Sequence, residues 1–261
     1  TPAMLKGAGT RGVPEIPAGS SFSNTYSMAF DGSDDYVDCG NNSSLQPTSG
    51  ITLSAWFMIP AGSLHYSSDT LISQDHTGYA GTHNGYSMDC TIASNGYLYY
   101  QFYLENGTAL TRVVGATNSG GTPPYVGDTW YHLCGTWDGS DMVLYINGVS
   151  LGTVAFTGPI TYNASISTLI GKRRTGINWL GSIDEVSLFN VGKNSSEVTA
   201  IYNSGIPTDL TGETGLAGWW RMGDGATWDG SDWSIPDASS NSNTGASENM
   251  DEADRVADVP S

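Results

Sequence analysis

A chain of 261 residues with 34 glycines, 11% aromatic and only 13% charged residues suits many short strands joined by tight turns, and excludes both a helical bundle and a disordered chain. Nine basic against 26 acidic residues leave a net charge of −17, a field that repels nucleic acid and anionic membranes and favours cations. No apolar run approaches the ~18 residues of a membrane span, so no membrane insertion is expected.

Residues 1–27 place Pro2, Pro14 and Pro17 among Gly7, Gly9, Gly12 and Gly19 with no sustained apolar period, and read as an extended N-terminal arm. Such an arm lies along its own domain or crosses to a second copy, where Lys6 and Arg11 would meet acidic surface, so self-assembly through the arm is expected. The first residue is Thr1, which implies processing or a longer parent chain.

Residues 26–37 run as a first strand into an Asp-Gly turn. The next strand, 51–59, turns Ile51, Leu53, Ala55, Phe57 and Ile59 to one face and ends at Pro60. Residues 64–84 lack a regular pattern and hold His65, His76 and His83, which predicts a long functional loop on the rim of the fold. Residues 97–104 alternate cleanly. Leu98, Tyr100, Phe102 and Leu104 are core positions, while Tyr97, Tyr99, Gln101 and Tyr103 make an outward row of amphipathic rings around an amide. That row suits stacking on a sugar, and suits equally well packing beneath an insertion or against a partner.

Residues 130–137 and Met142, Leu144 and Ile146 form a hairpin through 138–141, and Asn147-Gly148 predicts a second turn of type I′. Residues 180–190 read as a strand in which period-two geometry puts Asp184 on the side of Val186 and Leu188, a carboxylate on a core-facing row. A buried carboxylate has to be paired, hydrogen-bonded or metal-bound. Asn194 and Glu197 have capping-box spacing and open one short helix, which runs to Asn203 with Gly205 as its stop. Residues 218–222 return to strand. The remainder, 223–261, is a turn-rich acidic segment packed on the main domain of residues 28–222, with its last dozen residues mobile.

The tetrad Asp-Gly-Ser-Asp occurs at 31–34, 138–141 and 229–232, which repeated hairpin turns explain without a ligand. The first copy runs on into Asp35, so that Asp31, Asp34 and Asp35 cluster as oxygen ligands for a hard cation such as calcium. Cys39, Cys90 and Cys134 show no zinc spacing and read as buried thiols, with a Cys90–Cys134 disulfide as the alternative. Sequons at Asn41, Asn42, Asn106, Asn163 and Asn194 fall in turn-rich sequence where they arise by chance. The Glu-x-Asp-x-x-Glu pattern of sandwich-fold glycosidases is absent, as are nucleophile elbows and zinc helices. His132 beside Tyr131 is what is left for lyase chemistry.

Three blocks in order carry a resemblance. They are Phe30 to Val37, Trp130 to Gly148, and Leu169 to Lys172 followed by 181–190 and the helix. Together they resemble the laminin-G-like, concanavalin A-like jelly-roll domains. The resemblance implies an all-β, two-sheet antiparallel jelly-roll sandwich with one short helix, frequently with a structural calcium ion, working outside cells or on virions and binding more often than catalysing. It places the opening strand beside 180–190, so Asp184 and the Asp31, Asp34, Asp35 cluster would share calcium. A salt bridge from Asp184 to Arg173, Arg174 or Arg221 is the alternative. The expected function is a non-catalytic lectin-like surface module for adhesion or assembly, with a glycan or surface protein as partner. A structural virion, fibre or sheath subunit and a polysaccharide hydrolase or lyase are the alternatives.

Overall fold

The computed structural model describes residues 22–63, 69–75, 83–93, 97–116, 125–173 and 176–261. Most of the arm, residues 1–21, lies outside them, as do His65, His76 and Arg174. In chain order the strands begin β1 (Ser27–Asp31), β2 (Tyr36–Asp38), β3 (Ile51–Met58), β4 (Asp69–Asp75), β5 (His83–Ile92), β6 (Leu98–Gly107) and β7 (Leu110–Ala116). A meander follows as β8 (Trp130–Trp137), β9 (Asp141–Ile146) and β10 (Val149–Ala155), then β11 (Leu169–Ile170), β12 (Lys172–Arg173), β13 (Ile177–Asn178) and β14 (Leu180–Phe189). The helix α1 (Ser195–Tyr202) precedes β15 (Leu216–Trp220), β16 (Thr227–Trp228), β17 (Trp233–Ile235), β18 (Gly245–Glu248) and β19 (Arg255–Val256).

Two antiparallel sheets form a jelly-roll sandwich. One has eight strands in the order β10-β9-β8-β3-β14-β1-β19, with β15 also paired to β14. The other has nine, β16-β17-β18-β2-β11-β4-β5-β6-β7, and β12 and β13 make a separate hairpin. Their inner faces supply one core, in which Leu53, Ala55, Phe57, Leu133, Leu144 and Ile183 meet Val37, Met88, Leu98, Tyr100, Phe102 and Leu104. Phe57 packs edge-on to Tyr100 across the layers at 6.3 Å between centroids. At Gly135 the sheets come so close that a Cβ would sit 2.6 Å from the Phe102 ring.

Turn chemistry follows the sequence closely. Asn147 and Gly148 both have positive φ, at 48° and 75°, as a type I′ turn requires. In all three tetrads the leading aspartate caps its own turn, accepting backbone N–H bonds from Ser33 and Asp34, from Ser140 and Asp141, and from Ser231 and Asp232. Asn194 and Glu197 close a reciprocal capping box on α1, and the helix ends on Asn203 in left-handed conformation, two residues before Gly205.

Four expectations change. First, the 64–84 stretch contains β4; its alternation is hidden because a bulge between Thr70 and Ile72 turns both Leu71 and Ile72 into the core. Second, of the two cysteine readings the buried thiols hold and the alternative Cys90–Cys134 disulfide drops out; Cys90 lies in the main core and Cys134 in a cluster with Val198 of α1. Third, the C-terminal residues are paired rather than mobile. β19 adds to β1, and Trp130 Nε1 and Ser27 Oγ both donate to Asp258. The fourth concerns Asp184.

Asp184 does not share a face with Val186 and Leu188. β14 pairs with β3 as Asp184↔Trp56 and then Ser187↔Ser54, so two residues oppose Ala55, and Glu185 takes φ 47°. This bulge flips the alternation: Ile183, Val186 and Leu188 face the core, while Asp184 and Glu185 face the outer side of the eight-stranded sheet. The bulge sits where β14 changes partner, from β1 at residues 180–183 to β15 at 186–189. The gap between those partners is filled from both sides. Asn24 Nδ2 donates to Asp184 at 2.8 Å, and Arg221 Nε and Trp219 Nε1 donate to Glu185 at 3.0 and 2.6 Å. Arg221 also donates to the Ser23 carbonyl and stacks on Phe22 and Trp219, pinning residues 22–24 to the sheet.

Candidate functional site

The outer face of the nine-stranded sheet holds the predicted Tyr row. Tyr86, Met88 and Cys90 of β5 turn inward, which turns Ser87, Asp89 and Thr91 outward. Across β4 to β7 the register then lines up Thr70, Asp89, Gln101 and Val114 in one row and Ser73, Ser87, Tyr103 and Arg112 in the next. Thr91, Tyr99, Gln101, Tyr103, Arg112 and Val114 wall a groove of about 400 Å³.

The four row residues differ in access. Tyr97 is 38% exposed, Tyr99 is half-buried, and Gln101 and Tyr103 are 8% and 7% exposed. Tyr103 therefore does not offer an open ring face, and the Arg173 guanidinium lies 5.3 Å over it. Its hydroxyl donates to Gln101 Oε1 at 2.5 Å, where Arg112 Nη1 also donates at 3.4 Å. Gln101 Nε2 in turn donates to Thr91 Oγ1 at 3.4 Å. The amide is thus held with its oxygen towards Tyr103 and Arg112. The groove joins apolar ring and Val114 surface to a short polar chain.

Behind the groove lies an acidic centre that sequence reasoning missed. Arg173 bridges Asp75 at 2.6 Å and Asp89 at 3.5 Å, and Asp89 also accepts from Thr70 and Ser87. Burial pushes Asp89 up to about 6, against the pull of Arg173. Glu105, on the same face of β6, rises to about 8 through burial and the charge of Asp75. Alternation within β5 and β6 marks Asp89 and Glu105 as outward residues. Their convergence depends on pairing with β4 and on the β12–β13 hairpin, which no local pattern announces.

The metal candidates separate into two places. Asp31, Asp34 and Asp35 bring carboxylate oxygens within 4.8 Å of one another, with Asp35 buried. Burial raises Asp35 to about 6, and the charges of Asp31, Asp254 and Asp34 add to the shift, a congestion that a cation would relieve. This all-oxygen donor set fits calcium. Asp184 is not part of it. β1 does lie beside β14, but Asp31 pairs with Leu180, so Asp184 is four positions further along, about 13 Å at strand rise. Nor does Arg173 or Arg221 pair with Asp184, whose partners are Asn24 and the Glu185 backbone N–H. Burial, reinforced by the charge of Glu185, holds the Asp184 carboxyl well above the ordinary range.

His132 is fully buried on the outer side of the eight-stranded sheet, between Trp56 and Tyr202, with Nε2 2.7 Å from Ser54 Oγ. Burial lowers it to about 3, so it stays neutral and out of reach of a substrate. The Trp219-Trp220 and 237–243 blocks are equally structural. Asp237 accepts from the backbone of Trp219, Ser239 and Asn243, and Trp220 Nε1 donates to the Asn243 carbonyl.

Solved structures share this architecture at low identity. A Bacteroides ovatus protein proposed to bind carbohydrate superposes with TM-score 0.61 and 19% identity over 92% of this chain, which spans 62% of that protein's length. The Ruminococcus gnavus IT-sialidase CBM40, solved bound to α2,3-sialyllactose, gives 0.52 and 13% over 67% of this chain and 96% of its own. The enzymatically active domain of tailspike protein 2 from bacteriophage CBA120 gives 0.50 and 16% over 80% of this chain and 34% of its own. Among curated protein sequences none matches. The fold is thus shared with that carbohydrate-binding module. A laminin-G-like family profile matches residues 31–199, well over half of the sequence, and the chain belongs to the family that profile describes, the concanavalin A-like lectin/glucanases superfamily.

Proposed function

We propose that this chain is a non-catalytic glycan-binding module, used for adhesion at an extracellular, cell or virion surface, and that the β5–β7 groove is where the sugar sits. The observation that carries this reading is the pairing, in one groove, of the half-buried Tyr99 ring with the held amide of Gln101 and the guanidinium of Arg112. A pyranose offers an apolar ring face and a fringe of hydroxyls, and an aromatic ring beside fixed hydrogen-bonding groups is complementary to both. The carbohydrate-binding-module architecture supports it, as does a structural neighbour solved with sialyllactose. Calcium belongs to this proposal as a structural ion held by Asp31, Asp34 and Asp35, remote from the groove in sequence and supplying charge compensation only.

A glycan array probed with the wild-type chain and with Tyr99→Ala tests the reading. Discrete glycan hits that vanish in a normally folded Tyr99→Ala are expected. Hits that survive this change would move the sugar elsewhere. The acids behind the groove favour hydrolysis as a second reading, since a raised Glu105 is protonated at neutral pH as a general acid must be. Release of reducing ends from array-positive polysaccharide, lost in Glu105→Gln, would replace the module with an enzyme.

A further inference from the structure

We infer that the sugar accepted by the groove carries a carboxylate, and that Arg112 is the residue that selects it. This rests on the groove reading above. The described cations divide cleanly. Arg173 is bound to Asp75 and Asp89, Lys193 to Glu197 and Glu213, and Arg221 to Glu185 and Asp224. Lys172 lies on the Tyr36 ring, and Arg255 lies on Tyr26 while donating to the Gly223 carbonyl. Arg112 shares with Lys172 and Arg255 the lack of an ion pair among the described residues, but it is exposed where they are half-buried, and it lines the groove. Its hydrogen-bonding neighbours are neutral, Gln101 Oε1 at a long 3.4 Å and the Tyr103 hydroxyl, so they do not compensate the charge of its five-donor fork.

In a chain with 26 acidic and nine basic residues, an exposed guanidinium left without an acid is not the expected outcome. The surrounding elements explain how it persists. The facing position on β6 is Tyr103, and the flanking groove residues are Gln101 and Val114, none of which is charged. Two acids share the face without pairing with Arg112: Glu105, two positions along β6 from Tyr103, and Asp89, one strand further away opposite Gln101 and already held by Arg173, Thr70 and Ser87. Val114, 41% exposed, gives the groove an apolar wall. A planar fork of donors above such a wall matches a carboxylate bidentately, which a neutral hydroxyl cannot do. The net charge of −17 opposes approach of an anion at long range, but that field is screened beyond about 8 Å at physiological salt, while the fork acts in contact.

Uronic acids and sialic acids both present such a group, and the experiment separates them. Isothermal titration uses an oligomer of uronic acids and a sialylated oligosaccharide, each beside its methyl ester, against the wild type, Arg112→Gln and Tyr99→Ala. At least one acid should bind, its ester about 10- to 100-fold more weakly, and Arg112→Gln should lose the same factor and treat acid and ester alike. Arg112→Lys, which keeps the charge but not the fork, should fall between. Thermal melts check that each variant folds. If neutral sugars or esters bind as well as acids, or if Arg112→Gln weakens acid and ester equally while Tyr99→Ala abolishes both, the carboxylate inference is overturned and the groove reading stands. If the wild type binds no acidic or neutral sugar, both fall together.

Discussion

Replacing Arg221 by Met keeps most of the apolar stem and removes the charge. The change strips the 3.0 Å ion pair from Glu185, a side chain only 4% exposed, and leaves Asp184 and Glu185 as adjacent buried acids. It also removes the cation stacked against Phe22 and Trp219 and the bond to the Ser23 carbonyl. Removing one partner of a buried pair costs about 3–5 kcal/mol. Trp219 still donates to Glu185 and Arg221 is itself partly exposed, so the low end, about 3 kcal/mol, applies above about pH 8. Glu185 has its folded value raised to about 7 from an ordinary 4.5, burial outweighing the pull of Arg221. Losing that guanidinium raises it further. Near pH 5 the acid is therefore neutral in the folded protein with or without Arg221, and the penalty shrinks to the lost ring contacts, the Ser23 hydrogen bond and the partly exposed 3.4 Å pair with Asp224, about 1–2 kcal/mol. Urea titrations at about pH 8 and about pH 5 read both values, with unchanged m-values as the check on two-state unfolding. Equal destabilisation at the two pH values would refute the reasoning, because it would show that Arg221 acts by packing and not by compensating Glu185.

The unaltered chain should become more stable as pH falls from about 8 to about 5. Glu105 at about 8, Glu185 at about 7 and Asp89 and Asp35 at about 6 bind protons more tightly folded than unfolded, so their contribution is complete below the unfolded values and lost as pH rises through the folded ones. His132, lowered to about 3 from 6.5, opposes this below about pH 6.5 but is one group against four, and the lowered acids Asp31, Asp138, Asp209 and Asp229 oppose it only below their ordinary 3.8; a melting temperature that falls steadily from pH 8 to 5 would contradict the scheme. Calcium should raise the melting temperature, chelator should reverse the rise, and Asp35→Asn should abolish it; an identical response in that variant removes Asp35 from the site. Gly135→Ala should cost about 1–3 kcal/mol by forcing a methyl against the Phe102 ring, read as a lowered urea midpoint.

Where side chains alternate without interruption, the sequence was sufficient: 51–59 and 97–104 face as their period demands, and Asn194, Glu197, Asn147 and Gly148 act where turn and cap chemistry put them. It failed where a single extra residue changes the count. The bulges at Thr70–Ile72 and Asp184–Ser187 each hid a strand's true facing, and nothing local distinguishes a bulged strand from a regular one carrying an odd carboxylate. The Tyr row was legible as a face, but not that Arg173 would cover Tyr103 while Tyr99 stays accessible. Arg112 was invisible for a different reason. An unpaired cation is defined by what is missing around it, and that requires every neighbour to be placed.

The pairing of β1 with β19 has a mechanical meaning. The strands are antiparallel with Ser27 opposite Val256, so the chain before β1 and the chain after β19 leave the sheet at the same end. Tension applied through those two ends opens the pair one rung at a time instead of shearing all rungs at once. With residues 23–25 held by Arg221, Asp184 and Asp224, the first bonds to yield on the C-terminal side are the Ser27 and Trp130 contacts to Asp258 and then two rungs of ladder. The groove, on the outer face of the other sheet, would keep its shape while this edge peels, so a load on the tethers is taken up by the C-terminal strand before it reaches the grip.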